Sequence, residues 1–413
     1  MSRIDRREFL KLLSAGAAAG TIPWLSSCSK EATATGLPKD FYTIPKRGNV
    51  RILHCTDFHG QLNPVFFREP NVNLGMGDAF GRPPHMVGKQ FLKYMGLKEN
   101  TPEAHAYTYL NFNKAAKQFG RMGGMANMKT LADRLREQVG GRENTLMLDG
   151  GDLWQGSGTS LWTRGVDMVE ASNILGIDVM VGHWEFTYKE NEVLSNVALF
   201  KGDFIGQNVR VKEDSLMDDG YAKLVETYDG RGLYDEDTGH AFQPYVIREV
   251  GGARICVVGQ AFPRTANANP QEFFPDWSFG LREDDMIELV EAIREDEKPD
   301  AIVLLSHNGM DVDIKMAERV PGLNAVFGGH THDGVPKPVK VKNVEGNECL
   351  VTNAGSNGKF LGVMDFDIDA GKIKSMNYEM LPIFAESLPA DKELQAYIDQ
   401  MRNTKYDESI IES

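Results

Sequence analysis

The chain has 413 residues, 41% of them hydrophobic and 25% charged, enough for one large domain or two with a sizeable core. Its 59 acidic against 45 basic side chains give a net charge of -14. A nucleic-acid partner is disfavoured, because phosphate backbones are bound by clustered Lys and Arg. No apolar run reaches the roughly 18 residues needed to cross a bilayer as a helix.

Residues 1–28 read as a targeting segment and stand outside fold reasoning. Asp5-Arg6-Arg7-Glu8-Phe9-Leu10-Lys11 resembles a twin-arginine export signal, and a short apolar region follows it from 12 to 25. The expectation is a periplasmic protein. Leu25-Ser26-Ser27-Cys28 resembles a lipobox, so Cys28 is a candidate lipidation site and its lipid the only expected membrane contact; simple cleavage nearby is the competing reading. Residues 29–47 are polar and read as a linker. Cys55, Cys256 and Cys349 lie in strand-like runs and read as buried, inert thiols, since three cysteines cannot all pair with one another.

Residues 49–55 form the first predicted strand, which runs into Asp57-Phe58-His59-Gly60-Gln61. On an extended backbone alternate residues share a face, so Asp57 and His59 are expected to reach one cation. Residues 63–120 are rich in Gly, Pro, Asn and aromatic residues with little periodicity. A connection this long, leaving from the Asp57/His59 edge, reads as a lid or wall over it. Gly123-Gly124 opens a predicted helix over 125–138, with Met125, Met128, Leu131 and Leu135 at helical spacing. Residues 145–148 and 178–181 are short apolar strands, each stopping at a Gly turn. The first turn presents Asp149 and Asp152, the second His183 and Glu185. Such strand ends are where an open α/β sheet places its chemistry.

Residues 212–240 are acidic and loop-rich and suggest no chemistry. Residues 245–250 and 253–259 read as a hairpin across Gly251-Gly252, and 284–297 as an acidic amphipathic helix. The strand at 301–306 leads to His307-Asn308-Gly309; that at 324–327 leads to Gly328-Gly329-His330-Thr331-His332. Strands at 339–344, 348–353 and 362–368 follow, then a helix at 388–402 with little after it to pack on.

Five of the nine histidines therefore follow Gly-punctuated strand ends. A lone His there is usually a turn or core residue, but five together with Asp57 and Asp152 point to metal ligands. Imidazole and carboxylate suit Mn, Fe or Zn, and the lack of a Cys cluster argues against structural zinc or iron–sulfur. Seven ligands are too many for one ion and suit two that share a carboxylate. Two such ions clamp both oxygens of a displacement at a tetrahedral centre.

The order D-X-H, G-G-D, G-(N/H)-X-E, S-H and G-G-H-T-H resembles the 5′-nucleotidase branch of the calcineurin-like metallophosphoesterases. Within that branch, DGGDLWQGSGTSLWTRG, VGHWEFTY, GQAFPRTANANP, LLSHNGMDVDIKMAERV, GGHTHDGVP and VTNAGSNGKFLGVMDFD resemble the SoxB-type thiosulfohydrolases of bacterial Sox sulfur oxidation. The resemblance implies an α/β fold, a four-layer αββα sandwich over residues 48–385, and two Mn ions, with Zn or Fe as alternatives. Motif by motif, it implies Asp57, His59 and His332 on one ion, His183, His307 and His330 on the other, and Asp152 bridging. The implied attacking group is a metal-bridging hydroxide, with no certain side-chain acid or base. Gln61, Trp184 and Asn308 lie beside ligands and are candidates for supporting them or meeting substrate; for the two amides, turn capping is the competing reading. The implied reaction releases sulfate from a cysteine S-thiosulfonate on the SoxYZ carrier protein.

Two departures from the nucleotidase pattern matter. Where 5′-nucleotidases read G-N-H-E-F-D, this sequence reads Gly182-His183-Trp184-Glu185-Phe186-Thr187. Trp184 and Thr187 replace the catalytic His and its partner Asp. A phosphate ester would thereby lose a general acid worth roughly 10²–10⁴-fold, whereas a thiolate of low pKa leaves unprotonated. A periplasmic 5′-nucleotidase or cyclic phosphodiesterase is the alternative, and a metal-binding carrier subunit without turnover is the third reading. The resemblance also implies a C-terminal substrate-binding domain. Residues 386–413 read as the start of a linker helix to it, and the domain itself is expected to be missing.

Overall fold

The computed structural model describes residues 37–404 apart from 39, 67–74, 218 and 229–236. The twin-arginine stretch and the lipobox with Cys28 lie outside the described residues, as do 29–36 and 405–413. The strands are β1 (Val50–Cys55), β2 (Thr145–Asp149), β3 (Val179–Met180), β4 (Asp203–Phe204), β5 (Val209–Val211), β6 (Tyr245–Val250) and β7 (Ala253–Gln260). They continue with β8 (Trp277–Phe279), β9 (Ala301–Ser306), β10 (Ala325–Gly328), β11 (Val339–Lys342), β12 (Glu348–Asn353), β13 (Phe360–Asp369) and β14 (Lys372–Pro382).

Two six-stranded sheets result, ordered β14-β13-β1-β2-β3-β4 and β11-β12-β10-β9-β7-β6. The strands that carry the candidate ligands pair in parallel at both sheet centres, and antiparallel strands lie toward the edges. Central parallel strands are covered on both faces, which is why they read as unbroken apolar runs. Both β1 and β9 are buried at every residue.

Alternate side chains of each strand enter different cores. In β9, Val303 and Leu305 meet Ile52, Leu148 and Val179 of the first sheet, filling the space between the sheets. Ile302 and Leu304 face the other way, onto Met286 and Val290 of helix Glu283–Ala292 and Met316 of helix Met310–Arg319. Leu53, Met147 and Met180 back onto helices Met125–Glu137, Val166–Leu175 and Glu190–Leu199. The layers run helix, sheet, sheet, helix, so the expected α/β sandwich is the one observed. The hairpin across Gly251-Gly252 is present, both glycines having the positive φ that its turn requires. Cys55, Cys256 and Cys349 are buried and unpaired, as expected. Among the described residues no helix is long and apolar enough to cross a membrane.

Five expectations need correcting. Residues 212–240 are not loop throughout, since helices Glu213–Leu216 and Asp219–Tyr228 form within them. Residues 37–47 are not a linker: Leu37, Phe41, Tyr42 and Ile44 are buried in the first sheet's outer core, and the Tyr42 hydroxyl donates to the Pro382 carbonyl at 3.0 Å. Polar composition hid four apolar anchors. The described residues within 63–120 are not without periodicity: they carry helices Gly88–Met95, Pro102–Tyr107 and Phe112–Phe119, fastened to the β13/β14 side. There Tyr107 stacks on Phe360 at 5.5 Å and donates to the Met380 carbonyl at 2.7 Å. The strand β14 was not expected at all, although the turn before it, Ala370-Gly371 with both φ positive, is a local hairpin signal. Finally, helix Lys392–Asn403 does have a surface to pack on. Its Leu394 and Ile398 are fully buried in the first sheet's helix layer, and Tyr397 donates to the Asp167 carbonyl at 3.1 Å.

Candidate metal centre

The carboxyl ends of β1, β2 and β3 in one sheet, and of β9 and β10 in the other, bring all seven candidate ligands to one place. Asp152, His183, His307 and His330 form one group and Asp57, His59 and His332 another, with ligand atoms in each group within 4.8 Å of one another. Asp152 Oδ2 lies 3.0 Å from His183 Nδ1 and 3.0 Å from His307 Nε2, and those two nitrogens are 3.1 Å apart. His59 Nε2 faces His332 Nε2 at 2.8 Å, and His332 Nε2 is 3.3 Å from Asp57 Oδ1. The same Asp152 oxygen is 3.9 Å from His59 Nε2, which puts it between the groups. The first group is the deeper one; His59 and His332 are partly exposed.

The route to this convergence differs from the one expected. Asp57 and His59 do not share the face of an extended strand, because β1 ends at Cys55. Asp57, His59, Asp152, His330 and His332 all have left-handed backbones, with φ between 51° and 74°. That conformation is uncommon for non-glycine residues and persists only where surrounding bonds over-determine it. Here Asp57 N–H donates to Gly151 O at 2.9 Å, His59 N–H to Asp152 O at 2.8 Å, and Asn357 N–H to Asp57 O at 2.7 Å. Gly329 is required by a close approach: a Cβ there would lie 2.5 Å from Thr56 Oγ1 and 2.9 Å from His307 Nδ1.

The donor set fits cations. His307 Nδ1 donates to the Gly150 carbonyl at 2.6 Å, which fixes the tautomer and leaves the Nε2 lone pair facing the group. Two imidazole nitrogens that meet at 2.8 Å or 3.1 Å need a proton or a cation between them. Among the protein groups alone, burial pushes Asp57 and Asp152 up, but the neighbouring imidazoles, His307 foremost, reverse it and hold both below the usual carboxylate range. Burial disfavours the His307 cation, yet Asp152 and Asp57 raise it to about 10. Burial and the neighbouring His307 and His183 lower His330 to about 4. Positive charge is favoured at the centre, and His183 and His330, both lowered by burial, stay neutral and able to ligate.

The three supporting candidates separate. Gln61 donates from Nε2 to Asn63 O at 2.7 Å, as a turn-capping amide does. Asn308 is spent behind the site: its amide donates to Asp313 Oδ1 at 3.2 Å and its oxygen accepts from Gln260 Nε2 at 3.2 Å. Trp184 does lie at the centre, half-buried, with its N–H donating to Asp152 Oδ1 at 2.9 Å and its ring 4.7 Å from that of His183. Sequence reasoning missed Phe262, whose ring covers both His183 and His330 at 4.2 Å. The signal was available, since Phe262 follows the end of β7 just as each ligand follows a strand end. Glu185, seen only as one polar residue of its turn, is fully buried and accepts three backbone N–H groups. Burial, with repulsion from Asp152, pushes its carboxyl up, and those N–H groups pull it back.

No protein-family model matches the chain. Protein UshA of Yersinia enterocolitica is 26% identical over 286 residues, covering 63% of this chain and 48% of that protein. The trifunctional nucleotide phosphoesterase protein YfkN of Bacillus subtilis is 27% identical over 282 residues, covering 63% of this chain and 18% of that one. The chain thus spans about half the length of the UshA relatives it matches. Among solved structures, the Thermus thermophilus sulfate thiohydrolase SoxB in complex with glycerol superposes with a TM-score of 0.75 and 33% identity, over 87% of this chain and 61% of that one. A 5′-nucleotidase precursor from Thermus thermophilus shares the fold with a TM-score of 0.60 and 21% identity, over 85% of this chain and 58% of that one. These similarities support the α/β metallophosphoesterase fold and the 5′-nucleotidase branch.

Proposed function

We propose that this chain is the metal-dependent hydrolase unit of a thiosulfohydrolase, which releases sulfate from a cysteine S-thiosulfonate presented by a carrier protein of the SoxYZ type. Asp57, His59 and His332 would hold one divalent cation, His183, His307 and His330 a second, and Asp152 both, with Mn proposed over Zn or Fe. Bound there, the two cations would supply Lewis acidity toward a tetrahedral sulfonate or phosphoryl group.

The observation that carries the sulfur reading is the edge after β3. Trp184 stands there in place of an imidazole, and the Thr187 hydroxyl is spent on the Trp184 carbonyl at 2.7 Å. Neither Trp184 nor Thr187 offers a free proton to an alkoxide leaving group, and a thiolate needs no such proton. Trp184 and Phe262 together line one side with aromatic surface, which excludes water and suits an apolar peptide arm. The 33% identity to the SoxB structure supports the same reading. Export to the periplasm by the twin-arginine route, with Cys28 as a candidate lipid anchor, belongs to this proposal and rests on the N-terminal sequence. The UshA and YfkN relatives support a second reading, a 5′-nucleotidase or cyclic phosphodiesterase on the same ligands.

Offering the purified, metal-loaded protein p-nitrophenyl phosphate, AMP and a carrier bearing a cysteine S-thiosulfonate separates the readings. Sulfate release from the carrier, with slow phosphate release, is expected. Rapid AMP turnover without sulfate would move the assignment to the nucleotidase.

A further inference from the structure

Glu185 is fully buried in the turn Trp184–Tyr188 that follows β3, and it belongs to neither group of candidate ligands. Its Oε1 accepts from Leu153 N–H at 2.6 Å and Trp154 N–H at 3.1 Å, and its Oε2 from His183 N–H at 2.7 Å. Leu153 and Trp154 directly follow Asp152, so one carboxylate grips the turn after β2 with one oxygen and the turn after β3 with the other. The tie is reciprocated, because Trp184 N–H donates to Asp152 Oδ1 at 2.9 Å. The three bonds to Glu185 are buried, so losing any one of them leaves an unpaired polar group inside the protein. They act here on two irregular backbones, Asp152 with φ 56° and His183 with φ -149° and ψ -88°. The two side chains thus held apart at 3.0 Å are both candidate ligands of the same ion.

We infer that Glu185 is a positioning residue for the deeper metal site: its carboxylate sets the separation of Asp152 and His183 without touching the ion they hold. This rests on the proposed two-cation reading. Replacement by Gln keeps size and shape but puts an NH₂ where an N–H must be accepted, whichever oxygen is lost.

The test uses two single-site parents. His59→Ala leaves the deeper group intact, and His330→Ala leaves the outer one. Mn binding to each chelator-treated parent is titrated calorimetrically, with and without Glu185→Gln. The expected result is a loss of roughly 10–100-fold in affinity in the His59→Ala parent and less than about threefold in the His330→Ala parent, with both variants melting cooperatively. Equal loss in both parents, or none in either, overturns the inference by making Glu185 a general brace. If the Gln variant does not fold, Glu185→Asp replaces it, keeping the charge at shorter reach, with the same selective loss expected; failure of both to fold also overturns the inference. Absence of Mn binding by the unsubstituted protein would instead retire the two-cation reading on which it rests.

Discussion

His54 lies in β1 on the face turned toward the second sheet, fully buried, with its ring 5.2 Å from that of Phe327. Neither ring nitrogen has a hydrogen-bond partner. Burial lowers its pKa from 6.5 to about 3, against a smaller opposing pull from Asp57. The folded protein therefore keeps the ring neutral, while the unfolded chain takes up a proton below pH 6.5. Stability is lost as pH falls from 6.5 toward 3, at about 1.4 kcal/mol per pH unit, and so by about 2 kcal/mol at pH 5. His54→Leu removes the titration and the two unpaired nitrogens, whose burial costs about 1–3 kcal/mol, while filling similar space. The variant should be more stable than the parent by about 1–3 kcal/mol at pH 7, and the gap should widen by about 2 kcal/mol at pH 5. Urea unfolding of both proteins, chelator-treated and followed by circular dichroism at the two pH values, measures this directly. A gap that stays constant with pH would show that His54 does not titrate as argued. A variant less stable at pH 7 would show that its packing outweighs its desolvation.

Elemental analysis after growth in Mn should find about two ions per chain; Asp152→Asn should lower both, His59→Ala mainly one, and a single ion or none in the parent would count against the centre. Restoring the nucleotidase pattern with His183→Asn, Trp184→His and Thr187→Asp should raise p-nitrophenyl phosphate hydrolysis and depress sulfate release; both rates unchanged, with metal retained, would make Trp184 merely structural. Arg51 and Asp365 form a buried two-pronged pair at 2.7 and 2.8 Å, and Arg51 also donates to the Leu135 carbonyl at 3.1 Å. Asp365→Asn should destabilise by about 3–5 kcal/mol in thermal unfolding, whereas Arg51→Met with Asp365→Leu should lose much less than the two single changes summed.

The sequence by itself determined where the chemistry sits. An apolar run ending at a glycine is a chain-local signal, and in a parallel sheet covered on both faces it marks a strand end whatever packs nearby. Each of the seven candidate ligands follows the end of an apolar run, although Asp57, His59 and His307 precede the glycine of their turn; the four-layer order was implied only by the family resemblance. The tertiary structure decided what depends on partners distant in the chain. Residues 37–47 look like linker until the far end of β14 supplies a surface for Phe41 and Tyr42. Helix Lys392–Asn403 looks unsupported until the helix layer receives Leu394 and Ile398. Asp57 and His59 converge through left-handed turns that backbone bonds from the next strand ends hold in place, and no strand periodicity encodes those turns. Glu185 and Phe262 belong to the centre for the same reason. A carboxylate's three N–H partners and a ring's two imidazole neighbours come mostly from other strand ends, so only the folded chain brings them together.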